Sequence, residues 1–302
     1  MKIAIIGFGV QGKKRIRFLK KKNIFCIVDS FKKKDFKDIS QVPLKKYDTA
    51  FVCAPDKEKL KIIDYCIKNK KNILVEKPFR LKNSKKYHTL KKFAIKNNVI
   101  FYTAYNHRFE PGIIKIKEII KKKKIGTPYN CRIFYGNGTS LLVKKSKWRD
   151  VKPGVISDLG SHLVDICMFI FGNKLTKLKL SEANKFENNA YDHAMVNLFY
   201  NKIPIQLEMT LCSWENTFCI DIFGSKGSVH MNSLCKWSDS EVILKKRKFP
   251  SGKPSIKKFI FKKGDPTWKK EHNYFFKLNK SKKKSISIEK DFLINKYLNE
   301  LI

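Results

Sequence analysis

Residues 3 to 12 read Ile-Ala-Ile-Ile-Gly-Phe-Gly-Val-Gln-Gly: an apolar run enters a glycine-rich turn, and a basic, helix-compatible stretch follows. This order, with Gly7-x-Gly9-x-x-Gly12, is typical of a dinucleotide-binding turn. Gly7 lets the chain turn sharply, Gly9 lets the backbone approach a pyrophosphate, and Gly12 lets helix and strand pack closely. The phosphates are expected at the helix N-terminus, where N–H groups and the helix dipole favour negative charge. The alternative is a glycine-rich turn without a ligand.

The next apolar run ends in an acidic residue. Residues 24 to 28 are followed by Asp29, at the offset of about 20 residues where a carboxylate bonds a ribose 2′-hydroxyl. A carboxylate there repels a 2′-phosphate, so we expect NAD to be preferred over NADP. Lys32, Lys33 and Lys34 follow closely and soften this discrimination, which leaves NADP as an alternative cofactor.

The chain of 302 residues has a formal net charge of +40, which invites a nucleic-acid interpretation. The charge comes mostly from lysine, spread over the whole chain, and arginine is the better donor to phosphate and base edges. We therefore expect a solvated basic surface and no specific nucleic-acid partner. Such a surface can still help steer an anionic small substrate.

The sequence supports neither a membrane span nor a metal site. No apolar run approaches the roughly 18 residues that a membrane span needs, and the N-terminus lacks a signal-peptide pattern, so we expect a cytoplasmic protein without a membrane partner. The eight cysteines include no C-x-x-C pair and mostly lie in apolar runs. They are interpreted as small buried side chains, and no metal site is expected.

The pattern of apolar segments predicts an α/β protein with two domains. Strands and helices alternate at first, with strands at 2–6, 24–28, 49–53, 72–75 and 99–103 and helices at 12–22, 57–69 and 83–97. Longer strands follow at 129–136, 174–182, 191–200, 203–212 and 217–223, with helices at 111–123, 156–170 and 288–302. We predict a Rossmann domain with a doubly wound parallel sheet over residues 1–118. Residues 119–302 are predicted to form an α/β domain with a large, mostly antiparallel open sheet.

Two finer expectations concern the second domain. The Lys-rich stretch from 245 to 266 is interpreted as a hairpin tip or a solvated loop. Ile205, Leu207 and Met209 alternate with polar residues and leave one apolar face to bury. We expect a second copy to cover that face in a homodimer or homotetramer.

Lys77 directly follows the fourth predicted strand, within Glu76-Lys77-Pro78. The carboxyl ends of parallel strands are where open α/β sheets bind ligands. A lysine held there can serve in proton transfer or stabilise a developing alkoxide, and Pro78, which could be cis, would fix its direction. The alternative is an ordinary surface lysine near a turn.

Asp158, His162 and Asp165 are spaced to share one face of the predicted helix at 156–170. A histidine beside two carboxylates can exchange a hydroxyl proton near neutral pH. A structural histidine with a capping aspartate is the alternative. Arg108 and Arg149 could each hold an anionic or polyhydroxyl substrate, or pair with a carboxylate inside the fold.

Taken together, five motifs resemble the Gfo/Idh/MocA family of nicotinamide-dependent oxidoreductases. They occur in the order of that family: Gly7-x-Gly9-x-x-Gly12, Glu76-Lys77-Pro78, Arg108-Phe109-x-Pro111, Trp148-Arg149 and Gly154-x-x-x-Asp158-x-Gly160-x-His162-x-x-Asp165. A later segment, Ile222 to Ser228, looks like the I-x-G-x-x-G-x segment of the family, so the resemblance covers most of the chain and weakens after residue 230. One departure follows Ala54-Pro55, where many members carry a histidine and this chain has Lys57-Glu58-Lys59.

The resemblance implies a Rossmann domain and an α/β domain whose open sheet often forms the oligomer interface. It implies a catalytic group of Lys77, Asp158 and His162. The cofactor contacts that we expect are Gly7, Phe8, Gly9, Val10, Gln11, Gly12, Asp29, Ala54, Pro55, Glu76 and Lys77. The expected substrate contacts are Asn106, Arg108, Trp148, Arg149, Asp158 and His162.

The leading functional hypothesis is hydride transfer between a nicotinamide cofactor and a secondary hydroxyl or ketone of a sugar-like substrate. The basic surface and the arginines near the predicted site favour a nucleotide sugar of glycan synthesis within that class. The alternative is a non-catalytic dinucleotide-binding sensor or structural homologue.

Overall fold

The computed structural model describes residues 1–81, 83–146, 149–280 and 287–301. The chain divides into two compact units: Met1–Asn106 with Trp268–Asn295, and His107–Thr267 with Lys296–Ile302. This division differs from the boundary predicted at residue 118. The second unit begins earlier, and a segment near the C-terminus belongs to the first unit.

The first unit contains, in its described part, a five-stranded parallel sheet in the order β2-β1-β3-β4-β5, which confirms the predicted Rossmann architecture. Its strands are β1 (Ile3–Ile6), β2 (Ile24–Val28), β3 (Thr49–Val52), β4 (Asn72–Glu76) and β5 (Phe101–Ala104). The connecting α-helices are α1 (Val10–Arg17), α2 (Asp56–Lys68) and α3 (Ser84–Lys96). β1, β3 and β5 are buried along their whole length. Their sequences therefore lack the alternation of apolar and polar residues that is typical of a strand with one face exposed.

The second unit contains, among the described residues, an eight-stranded sheet in the order β13-β12-β11-β10-β6-β9-β8-β7. All its neighbouring strands are antiparallel except β6 and β9, as the predicted mostly antiparallel sheet requires. The strands are β6 (Pro128–Gly136), β7 (Leu175–Asn184), β8 (His193–Tyr200), β9 (Ile203–Thr210), β10 (Thr217–Gly224), β11 (Gly227–Asn232), β12 (Ser240–Lys246) and β13 (Ser255–Phe261). The helices are α4 (Pro111–Lys121), α5 (Ser140–Lys144), a π-helical turn (Ile156–Gly160) and α6 (Ser161–Ile170).

The apolar face of β9 is covered within its own unit. Ile205, Leu207 and Met209 are all at most 2% exposed. The sulfur of Met209 packs beside Gly160, because a Cβ at Gly160 would lie 2.9 Å from it. The argument that a second copy must cover this face was therefore wrong, since the helical segment of the same unit covers it.

The Lys-rich stretch after residue 245 forms more strand than the sequence predicted. β12 and β13 pair as a hairpin, and only residues 247–254 between them form the expected tip. β13 lies at the edge of the sheet with most of its side chains exposed, so its lysines face solvent. Charged side chains are common on edge strands, where they discourage pairing with another chain.

The last two helices are α7 (Thr267–Lys280) and α8 (Ile288–Asn299). α7 joins the first unit through Arg15 of α1, which is 1% exposed. The guanidinium of Arg15 bonds Glu76 Oε1 of β4 through Nε at 2.6 Å and Glu271 Oε2 of α7 through Nη1 at 2.5 Å. It also lies 4.3 Å from the centre of the Trp268 ring. One buried cation thus connects a helix, a strand and the C-terminal segment.

Two other observations bear on the sequence analysis. No described helix combines the length and the apolar composition that a membrane crossing requires. Five of the eight cysteines are buried and the other three partly so, and burial raises the pKa of the Cys26 thiol to about 12. The interpretation of most cysteines as small buried side chains is confirmed.

We expect Arg15→Met to lower the free energy of unfolding by about 3–5 kcal/mol, because it leaves two buried carboxylates without their cation. Urea denaturation followed by circular dichroism measures the change. Arg17→Met is the matched control, since Arg17 is exposed on the same helix and should change stability by less than about 0.5 kcal/mol. Equal effects of the two substitutions would contradict a special role for the buried guanidinium.

Candidate functional site

The glycine-rich turn between β1 and α1 has a backbone conformation and a close packing that only glycine permits at two of its positions. Gly7 has φ +92°, and a Cβ there would lie 2.8 Å from the carbonyl of Cys53. A Cβ on Gly12 would lie 2.0 Å from the Gly7 carbonyl oxygen. Both positions therefore exclude any side chain, through close backbone packing and, at Gly7, through backbone conformation.

The turn also leaves room for a ligand. A Cβ on Gly9 would meet nothing within 4 Å, so space above the backbone is open. Gly9 is the N-cap of α1, no side chain caps that helix, and its first turn has no acidic residue. The first backbone N–H groups of a helix have no partner within it, and in open space they fit the pyrophosphate of a dinucleotide. Val10 is exposed and Gln11 half-buried in the same turn.

Asp29 follows β2, and backbone N–H groups surround its carboxylate. The N–H groups of Phe8, Phe31 and Lys32 donate to it at 2.7, 3.0 and 2.8 Å. Partial burial acts to raise the pKa of Asp29, but these three bonds and the charge of Lys32 outweigh it and hold the pKa below its ordinary value. The group therefore stays an anion at neutral pH, as an acceptor for a ribose hydroxyl must.

Basic side chains lie beside that carboxylate. Lys32 Nζ donates to the Phe8 carbonyl oxygen at 2.9 Å, and Lys34 Nζ lies 4.2 Å from the centre of the Phe8 ring. The Asp29 carboxylate, which disfavours a 2′-phosphate, and the lysine side chains, which favour one, therefore all contact Phe8.

Lys77 lies at the carboxyl end of β4, directly after Glu76. Lys77 is half-buried, Glu76 is buried against Arg15, and the Lys77–Pro78 peptide bond is cis, as the sequence suggested. Lys59 of α2 donates through Nζ to the carbonyl oxygens of Glu76 and Pro78, at 2.8 and 2.9 Å. The main chain is therefore held on both sides of Lys77.

Ala54 and Pro55 follow the carboxyl end of β3, and Pro55 is the N-cap of α2. The parallel register of β1, β3 and β4 places Gly7, Ala54 and Lys77 at the same edge of the sheet. Asn106 follows β5 and is buried. The predicted cofactor contacts Gly7, Ala54 and Lys77 and the predicted substrate contact Asn106 thus all follow the carboxyl ends of strands.

In the second unit the predicted helix over 156–170 is confirmed, but it opens with the π-helical turn. Asp158 lies in that turn, and His162 and Asp165 lie in α6. His162 is 6% exposed and Asp165 is fully buried. The wider turn changes the angular offset between Asp158 and His162 from that of the continuous α-helix assumed in the sequence analysis.

Both arginines pair with carboxylates of this segment. Arg149 Nη2 lies 3.1 Å from Asp158 Oδ2, and Arg108 Nε lies 2.9 and 2.8 Å from the two oxygens of Asp165. The structure thus supports pairing inside the fold, the second of the two roles considered for them. Trp148, also a predicted substrate contact, lies outside the described residues.

Three groups beside His162 were not assigned to the site in the sequence analysis. The ring of His107 lies 4.0 Å from the ring of His162, and the ring of Tyr135 lies 6.2 Å from it, centre to centre. Lys236 Nζ donates to the Tyr135 hydroxyl at 2.9 Å. Alternation along β6 could have placed Tyr135 on the buried face, but no local pattern connects it to Lys236. Together these groups place two imidazole rings beside a phenol whose hydroxyl accepts a hydrogen bond from an ammonium group.

Comparisons with known proteins identify the family and agree with the fold of both units. Residues 1–105 match the model of an oxidoreductase family with an NAD-binding Rossmann fold, GFO_IDH_MocA, and residues 113–230 match the GFO/IDH/MocA C-terminal domain. A solved structure of a putative NADPH-dependent oxidoreductase from Desulfitobacterium hafniense has a TM-score of 0.86 at 18% identity, and covers 99% of this chain and 94% of its own.

Two curated relatives are each 24% identical over part of the chain. The uncharacterized oxidoreductase YrbE of Bacillus subtilis matches over 64% of this chain and 57% of its own length. Myo-inositol 2-dehydrogenase of Thermotoga maritima matches over 43% of this chain and 38% of its own length. The chain thus spans less than two thirds of either relative. With both family models matching in order over the two units, the chain belongs to the Gfo/Idh/MocA oxidoreductase family and carries its NAD-binding Rossmann fold.

Proposed function

We propose that this protein is an enzyme that transfers a hydride between a nicotinamide cofactor and a secondary hydroxyl or ketone of a sugar-like substrate. The observation that carries the proposal is the shared edge of the parallel sheet. The open glycine turn, the anionic Asp29 and the half-buried Lys77 all follow the carboxyl ends of strands of one sheet. Ligands of open α/β sheets bind at that edge.

In this proposal each residue has one task. The bound nicotinamide accepts or supplies the hydride. Lys77 stabilises negative charge on the substrate oxygen, and His162 takes or returns the hydroxyl proton. Asp158, paired with Arg149, tunes the charge near His162. The Tyr135 hydroxyl, held by Lys236, binds a second hydroxyl of the substrate.

The substrate class is a polyhydroxyl compound. The name of one relative, myo-inositol 2-dehydrogenase, supports a cyclic polyol or sugar. Within that class we favour a nucleotide sugar, because the net charge of +40 attracts an anionic substrate. Arg108 and Arg149 no longer add to that preference, since each is paired with a carboxylate.

A homodimer or homotetramer remains part of the proposal, on the resemblance to the family. The covered side of β9 gives no support for it. The opposite side of the second sheet keeps exposed apolar side chains, among them Phe223. Light scattering of the purified chain reports its assembly directly.

The rival function is a sensor that binds dinucleotide without turnover. A panel of myo-inositol, levoglucosan, D-glucose and UDP-glucose, each offered with NAD⁺ and followed by NADH absorbance, separates the two. Turnover with any of them supports the enzyme.

We expect Lys77→Ala and His162→Ala each to reduce turnover by ~10²- to 10⁴-fold, the usual contribution of a positioned acid or base. NADH affinity should change little, because Gly7, Gly9 and Asp29 supply the dinucleotide contacts. Steady-state rates and calorimetric NADH binding give the two quantities. Lys68→Ala and His88→Ala are controls, since both side chains are exposed on helices of the first unit. Near-parental rates in both site variants would show that the proposed group is structural.

We expect NADH to bind more tightly than NADPH, since Asp29 stays ionised and repels a 2′-phosphate. Lys34→Gln should widen the preference, because it removes a cation beside Phe8. Calorimetric titration with both cofactors measures it, and Lys45→Gln, exposed elsewhere in the unit, controls for net charge. Equal or tighter binding of NADPH by the parental protein would show that the lysines outweigh Asp29.

A further inference from the structure

Lys59 is a buried lysine with a complete set of acceptors. It is 4% exposed, and its Nζ donates to Glu76 O at 2.8 Å, to Pro78 O at 2.9 Å and to Asp56 Oδ1 at 2.7 Å. An ammonium group has three donors, so these acceptors use all of them. The sequence analysis assigned no function to Lys59, which lies where the chain departs from the family pattern after Ala54-Pro55.

The ion pair with Asp56 does not explain why this lysine is buried. Asp56 is itself 54% exposed on its side chain, and an ion pair with so exposed a partner contributes little to stability. Removing an ammonium group from water is strongly unfavourable unless hydrogen bonds replace the water. The two carbonyl oxygens supply that replacement, so the position of Lys59 is set mainly by the main chain around Lys77.

We propose that Lys59 is a positioning residue for Lys77, an inference that rests on the proposed function of Lys77. The carbonyl of Glu76 belongs to the peptide plane before Lys77, and the carbonyl of Pro78 belongs to the plane after Pro78. One ammonium group that binds both restricts rotation of the backbone between them. The Cα–Cβ direction of Lys77 is thereby fixed.

The Glu76 side chain adds a second attachment at the same place. Its carboxylate is bound by Arg15 of α1, while Lys59 of α2 binds its carbonyl oxygen. Two helices therefore hold the residue before Lys77, one through the side chain and one through the main chain. Lys59 acts on the reaction only through Lys77, and misplacing a reacting group by about 1 Å can cost about 10²-fold in rate.

Hydrogen exchange tests the attachment without any substrate. Lys59→Met keeps the length of the side chain and removes its charge and donors. We expect amide exchange, measured by mass spectrometry, to speed up at least about tenfold in the peptide covering residues 74–80. Lys57→Met is the matched control, because Lys57 is exposed on the same helix, and it should leave that peptide unchanged. Unchanged exchange in Lys59→Met, or an equal increase in both variants, would overturn the proposal.

Kinetics test whether the attachment serves Lys77. With the panel compound that gives the highest rate, we expect Lys59→Met to lower kcat by about 10- to 100-fold, with an unchanged dissociation constant for NADH. In the Lys77→Ala background the same substitution should have no further effect on kcat, because there is no lysine left to position. Rates are expressed per folded protein, from the melting curve of each variant.

The outcomes separate this inference from the proposed function. If Lys77→Ala keeps parental rates, the proposed role of Lys77 fails, and with it the link between Lys59 and catalysis. If Lys77→Ala is impaired but Lys59→Met is not, only the positioning role of Lys59 is overturned. Equal fold losses from Lys59→Met with and without Lys77 would also overturn it, since they would show a general structural effect.

Discussion

The buried guanidinium of Arg15 is the interaction on which the first unit depends. It lies between Glu76 at the end of β4 and Glu271 of α7, with the Trp268 ring against it. Burial raises the pKa of Glu271 above its ordinary value, although the charge of Arg15 opposes that effect. A cation in this position requires both carboxylates, and each carboxylate requires the cation. The helix after the glycine turn, the strand before Lys77 and the C-terminal segment are therefore fixed relative to one another.

This constraint also explains why the sequence did not show that the C-terminal segment belongs to the first unit. Glu271 lies 256 residues after Arg15, and no periodic pattern connects residues so far apart. Arg15 looks like one more basic residue in a chain with 66 of them. The burial of Lys59 is equally invisible in the sequence, since it depends on two carbonyl oxygens at the end of β4 and just after it, those of Glu76 and Pro78.

Local patterns, by contrast, predicted most of the architecture. The five parallel strands and the glycine turn were predicted because buried strands and tight turns restrict the residues that can form them. Edge strand β13 was missed, since its Lys-rich, largely exposed sequence has the composition of a loop. The pairing of Arg108 with Asp165 was left open because the sequence does not show which carboxylate an arginine will reach. Local sequence patterns therefore predicted most of the helices and strands. The positions of the site residues depend on ion pairs between residues that are distant in sequence, which those patterns do not show.

In the proposed function, the chemistry takes place at a nicotinamide bound at the edge of the first sheet, beside a lysine held there by buried charges. The most direct measurement is transfer of deuterium from a carbon-deuterated polyol of the panel to NAD⁺, detected by mass spectrometry of the dinucleotide. We expect deuterated NADH from the parental protein and a rate lower by ~10²- to 10⁴-fold from Lys77→Ala. Tight dinucleotide binding with no deuterium transfer from any polyol of the panel would contradict the proposed function and support a sensor.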